Sequence, residues 1–150
     1  MITDFILAWD ANKAKLEEYF RTHAQREYSQ YEDLVRRLFV EVINPYLKDK
    51  ENESFDTVKL RVIDDGDYQG NQLFLIPLDT YQPSPYQYVW THQYYGSCSG
   101  CDLLQNIQES GDGEYLDLPD ERQVKAYMQL SLNLLQRCKY MIDQETFWNE

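Results

Sequence analysis

One change of rhythm constrains this chain more than any other feature. Up to about residue 55 its apolar residues recur at helical spacing, and then Val58, Leu60 and Val62 alternate with Lys59 and Arg61. Period 3.6 marks an amphipathic helix and period 2 a half-buried strand, so the fold must join a helical layer to a sheet. The helical period returns near residue 120.

Before the change, two helices are expected. In the first, Phe5, Trp9, Leu16, Phe20 and His23 fall near one face, with Thr3 or Asp4 as cap. The second opens at Ser29-Gln30-Tyr31-Glu32, the spacing of a capping box. Tyr31, Leu34, Val35, Leu38, Val42 and Ile43 form its stripe, and Pro45 restricts Asn44 and should end or kink it. Residues 48–55 read as a charged loop.

After the change, residues 58–62, 72–78 and 86–95 read as three strands, the last rich in aromatics as β-structure prefers. A short helix at 103–107, an acidic loop at 109–120 and a last helix from about Asp120 to Ile142 follow. That helix has an apolar face of Val124, Tyr127, Met128, Ser131, Leu134, Leu135, Cys138 and Met141. The expected fold class is α+β: a three-stranded antiparallel meander packed with two N-terminal helices and one long C-terminal helix. With 150 residues and no dividing linker, residues 1–150 read as a single domain. A meander also places the turn at 64–70 at the sheet end where the third strand finishes, so Asp67 should approach the segment that follows Tyr95.

That segment, Gly96-Ser97-Cys98-Ser99-Gly100-Cys101-Asp102, holds two of the three cysteines on a backbone loosened by two glycines. Cys98-x-x-Cys101 supplies half of a structural zinc site, which needs four donors. The best further donors are His92, at the end of the third strand, and Asp67. Asp102 reads instead as the N-cap of the next helix, and Cys138 as a core cysteine. One zinc ion per chain, on Cys98, Cys101, His92 and Asp67, is the expected metal site.

Two other chemistries fit the motif less well. A thioredoxin-type redox pair belongs in a βαβ setting, which this order of elements lacks. Gly96-x-Cys98-x-Gly100 has nucleophile-elbow spacing, but both histidines, His23 and His92, precede Cys98. A cysteine-dependent enzyme would have to use Cys98 with His92 as base and Asp67 as its orienter. The plain alternative is that the segment is only a tight turn.

Charge narrows the partners. Twenty-six acidic residues against 14 basic ones leave a net charge of −12, which repels nucleic-acid phosphates and favours a basic protein surface. No apolar run is long enough to span a membrane. The start of the chain lacks a signal-peptide pattern, and an odd cysteine count fits poorly with a secreted disulfide scaffold. An intracellular protein with reduced thiols is expected.

The segments Val62 to Gly70, Thr80-Tyr81-Gln82-Pro83, Tyr94 to Asp102 and Gln123-Val124-Lys125 together resemble a family of small bacteriophage proteins. The likeness extends over residues 19–141 and is most specific at 94–102. It implies a phage setting and the host bacterial cytoplasm, but no reaction. Small acidic phage proteins include inhibitors of host defence, type II anti-CRISPR proteins among them. By that analogy of setting and charge, the expected function is to bind and block a Cas9-type nuclease, which holds nucleic acid in positively charged channels. The expected contact residues are Glu109, Asp112, Glu114, Asp117, Asp120 and Glu121.

Overall fold

The chain passes from helix to sheet where its period changes. A computed structural model describes residues 2–111 and 117–142. Helix α1 (Thr3–Thr22) buries Phe5, Ala8, Trp9, Asn12, Leu16, Tyr19 and Phe20, which recur every three or four positions. A 3-10 turn (Gln25–Tyr28) leads to α2 (Tyr31–Leu38). The cap of α2 lies one residue later than Ser29-x-x-Glu32 suggests: the Gln30 N–H donates to Asp33 Oδ2 at 3.0 Å.

Pro45 does not end this helix. A single π turn (Phe39–Ile43) carries α2 directly into α3 (Asn44–Asp49). The wider turn restarts the ladder just before Pro45, so the missing N–H falls in a first helical turn, where it costs little. Asn12 of α1 donates to Val42 O at 3.0 Å, satisfying a carbonyl in this irregular stretch.

Residues 48–55 are not simply a charged loop, because their last member is core. Phe55 is buried and stacks edge-on against Phe5 and Phe39. Asn44 holds its main chain from both sides, donating to Phe55 O (3.0 Å) and accepting from Phe55 N (2.9 Å). The helical layer is thereby tied to the sheet, since Phe55 also bridges to Leu78.

The sheet is antiparallel, in the order β1-β2-β3-β4: β1 (Arg61–Asp64), β2 (Gly70–Pro77), β3 (Tyr88–Tyr95) and β4 (Lys139–Tyr140). The α+β class holds, and two details change. The first strand begins at Arg61, because Thr57–Lys59 is a 3-10 turn that leaves Val58 89% exposed. All four residues of β1 are exposed, so its alternation marks an edge strand rather than a half-buried one. The last helix, α5 (Glu121–Gln136), stops before Ile142, and the chain returns along β3 as a fourth strand.

One face of the sheet, with Phe74, Ile76, Val89 and Thr91, meets the helices. Across it α5 buries Val124, Tyr127, Leu130, Ser131, Leu134 and Leu135, and Thr91 Oγ1 donates to Leu134 O at 2.7 Å. Further polar links are buried beside it: Tyr127 OH donates to Gln25 Oε1 at 2.5 Å, and Gln123 Nε2 donates to Ile107 O at 2.9 Å. Among the described residues no helix is long and apolar enough to cross a membrane.

Candidate functional site

The β2–β3 register sets Gly70 opposite Tyr95, so the turn between β1 and β2 lies at the sheet end where β3 finishes, as a meander requires. Two carboxylates organise that end. Asp102, 5% exposed, precedes α4 (Leu103–Glu109) and caps it, its Oδ2 accepting from Gln105 N at 2.9 Å. Its Oδ1 accepts from Gly96 N (3.0 Å) and from Tyr31 OH (2.8 Å). The same Tyr31 oxygen accepts from Leu104 N at 3.1 Å. Burial, before any other cause, pushes the Tyr31 phenol well above its ordinary value, so it stays a neutral donor.

Asp64 holds the facing turn. Its Oδ1 accepts from Tyr95 OH (2.6 Å) and Gly66 N (2.9 Å), and its Oδ2 from Gln72 Nε2 (3.2 Å). The Tyr95 hydrogen bond is the main reason its carboxyl sits below the usual carboxylate range. Tyr95 is correspondingly pushed up to about 12, chiefly by that bond and more weakly by charges that include Asp67.

Between these hubs Cys98 to Cys101 form a tight turn. Cys98 O accepts from Cys101 N (3.1 Å) and from Asp102 N (2.8 Å). The chain folds so closely that Cys101 Sγ lies 2.9 Å from Cys98 N, which donates to it. The Cys101 sulfur is also 3.3 Å from Cys98 O and 4.0 Å from Ser97 Oγ. Hydrogen bonding from the Cys98 thiol, ahead of the backbone and Ser97 donors, lowers the Cys101 thiol below its ordinary value. Both cysteines are exposed.

Gly96 makes the packing feasible. A Cβ there would lie 2.4 Å from Cys101 O and 2.9 Å from its sulfur, whereas one at Gly100 would meet nothing within 4 Å. A polar cleft of about 350 Å³ opens beside the turn, its walls including Gln30, Tyr31, Gln72, Tyr95, Asp102 and Gln105.

The four residues expected to bind zinc are only partly brought together. Cys98 and Cys101 share one turn, and Asp67 is exposed in the facing turn. His92 pairs with Leu73, between buried Thr91 and Gln93, so it stands on the sheet face that the helices leave open. Its ring lies 5.6 Å from that of Trp90. Partial burial, with the Arg137 and Lys139 charges, holds its imidazole below the ordinary value. Among the described residues no three or more His, Cys, Asp or Glu side chains converge as a metal cage needs. His23 is tied instead to α1, with Nδ1 2.9 Å from Tyr19 O and its ring stacked on Tyr19.

Cys138 is the core cysteine expected, its thiol donating to Leu134 O at 3.5 Å and pushed up to about 12 by burial. Of the expected partner contacts, Glu109 is exposed at the end of α4 and Asp117 is exposed, its carbonyl accepting from Gln25 N. Asp120 caps α5 through Gln123 N (2.9 Å), and Glu121 pairs with Arg21 at 2.9 Å. Asp112 and Glu114 lie outside the described residues.

Sequence reasoning missed the part of Tyr31, which lies 71 positions from the carboxylate it bonds and carries no motif. It also missed Asp64 and Tyr95, although the meander that brings Asp67 near also aligns this pair. Comparison with protein-family models, with curated proteins and with solved structures finds no match.

Proposed function

We propose that this protein works by binding: it is an acidic inhibitor that occupies a basic surface of a host defence protein, most specifically a Cas9-type nuclease. The observation that carries this reading is the net charge of −12. Glu109, Asp117, Asp120 and Glu121 are exposed on one stretch of chain, as a charge-complementary contact requires. Asp120 and Glu121 are also held in place by the α5 cap and by Arg21, so they meet a partner with little ordering cost.

A cysteine enzyme has less support. Among the described residues no hydrogen bond joins Cys98 to His92 or Asp67, and the N–H donor within the turn goes to the Cys101 sulfur instead.

The test is co-elution of purified protein with a Cas9-type nuclease, followed across a salt series. A complex that weakens as salt rises, and weakens further in a Glu109→Lys/Asp117→Lys double variant, supports the reading. No complex, together with no protection of phage in nuclease-bearing cells, overturns it.

A further inference from the structure

The cysteine turn is more specialised than a tight turn needs to be. We propose that Cys98 and Cys101 are an oxidant-responsive dithiol that closes reversibly into an intramolecular disulfide, with Cys101 the attacking thiol. Three observations on the turn carry this. The Cys101 N to Cys98 O bond (3.1 Å) keeps the two α-carbons within the roughly 7 Å span of a turn, inside the range a disulfide can bridge. The Cys101 sulfur already rests 2.9 Å from the Cys98 nitrogen, so its side chain is folded back onto the residue it would bond. Gly96 is required for that placement, because any side chain there would strike the Cys101 carbonyl and sulfur.

Accessibility and donors assign the roles. Both thiols are exposed, unlike Cys138. The Cys101 sulfur receives the Cys98 N–H and lies near the Ser97 hydroxyl, donors that favour a thiolate. A βαβ frame is unnecessary for this chemistry. What the exchange needs is one stabilised thiolate, a neighbouring thiol and access.

The oxidant is a small-molecule disulfide such as glutathione disulfide. The Cys101 thiolate attacks one of its sulfurs, the S–S bond breaks, and one glutathione thiolate leaves and takes up a proton. The Cys98 thiol then gives up its proton and its sulfur attacks Cys101 Sγ, expelling the second glutathione thiolate. The chain loses two electrons and two protons, and one glutathione disulfide becomes two thiols. In a reducing cytoplasm such a disulfide is transient, as sensing pairs are. The proposal is independent of the nuclease reading.

The experiment equilibrates the full chain in buffers of graded reduced and oxidised glutathione, quenches with acid, and maps thiols by mass spectrometry. The expected product is a chain lighter by two hydrogens, with its internal disulfide inside the 96–102 peptide and Cys138 reduced. Cys98→Ser should stall as a mixed disulfide on Cys101, and Cys101→Ser should react more slowly at Cys98. Two free thiols in excess glutathione disulfide would overturn the proposal. So would separate adducts on both cysteines without an internal bond, or protection of both thiols until a chelator is added.

Discussion

Asp102 and Asp64 bond to consecutive residues, Gly96 and Tyr95, and share one chemistry. Each accepts a tyrosine hydroxyl, a glycine N–H and one further N–H donor. They differ in surroundings: Asp102 is 5% exposed and Asp64 lies open to solvent. A buried donor that loses its acceptor cannot turn to water, whereas an exposed one can. The first hub therefore builds the site, and the second trims it.

The largest effect should come from Asp102→Ala, which strands Gly96 N, Gln105 N and the Tyr31 hydroxyl. Destabilisation of roughly 3 kcal/mol is expected in urea melts, with helix cap and buried donors lost together. A change under about 1 kcal/mol would mean that water reaches the hub and the contrast with Asp64 is empty.

Next comes a pair of glycine variants within the same turn. Gly96→Ala places a Cβ 2.4 Å from the Cys101 carbonyl, and the backbone must move. A cost of about 2 kcal/mol is expected. Gly100→Ala meets nothing within 4 Å, and its melting temperature should match the parent. Equal behaviour of the two would contradict the packing of Cys101 over Gly96.

Tyr31→Phe removes one donor to Asp102 and one acceptor for Leu104 N. About 1.5 kcal/mol is expected, and the matching Tyr95→Phe at the exposed hub should cost clearly less. If Tyr95→Phe proves the more damaging, the two hubs have been ranked in the wrong order.

The smallest effect is a pH signature. The Asp64 carboxyl is lowered from 3.8, so its share of stability is present above that value and fades as pH falls through the depressed one. Tyr95 is raised from 10.0 to about 12, so its share is present below 10.0 and fades as pH rises towards 12. Both describe the same bond. The stability gap between parent and Tyr95→Phe should therefore be flat across the neutral range and close at both extremes. Ultraviolet titration offers an independent reading: one tyrosine ionising near 12 in the parent should return towards 10.0 in Asp64→Asn.

What the sequence made legible follows from range. The α1 stripe, the Asp102 cap and the strand patterns of β2 and β3 depend on neighbours a few residues apart, and so they are plain. The true start of β1 was hidden because Val58, Leu60 and Val62 alternate through a 3-10 turn as evenly as through a strand. Strand β4 was hidden because Cys138 and Met141 continue the helical spacing of α5, while no Gly or Pro marks its end. At the site, the Cys98–Cys101 turn and the placing of the 64–70 turn at the end of β3 were legible from spacing and topology. The outward placement of His92 depends on strand phase, and a one-residue slip reverses the face a side chain takes.

Strand β4 bears on how this sheet avoids growing. It is only two residues long and pairs with Val89 and Trp90, Met141 N adding a bond to Tyr88 O, and among the described residues no strand pairs with the rest of β3 on that side. Arg137 closes that gap, donating to His92 O (3.4 Å) and to Gln93 Oε1 (2.6 Å) just past the end of α5. The opposite edge, β1, carries Arg61 and Asp64. A guanidinium sits against one edge and charged side chains stand on the other, both of them features that oppose the addition of a further strand.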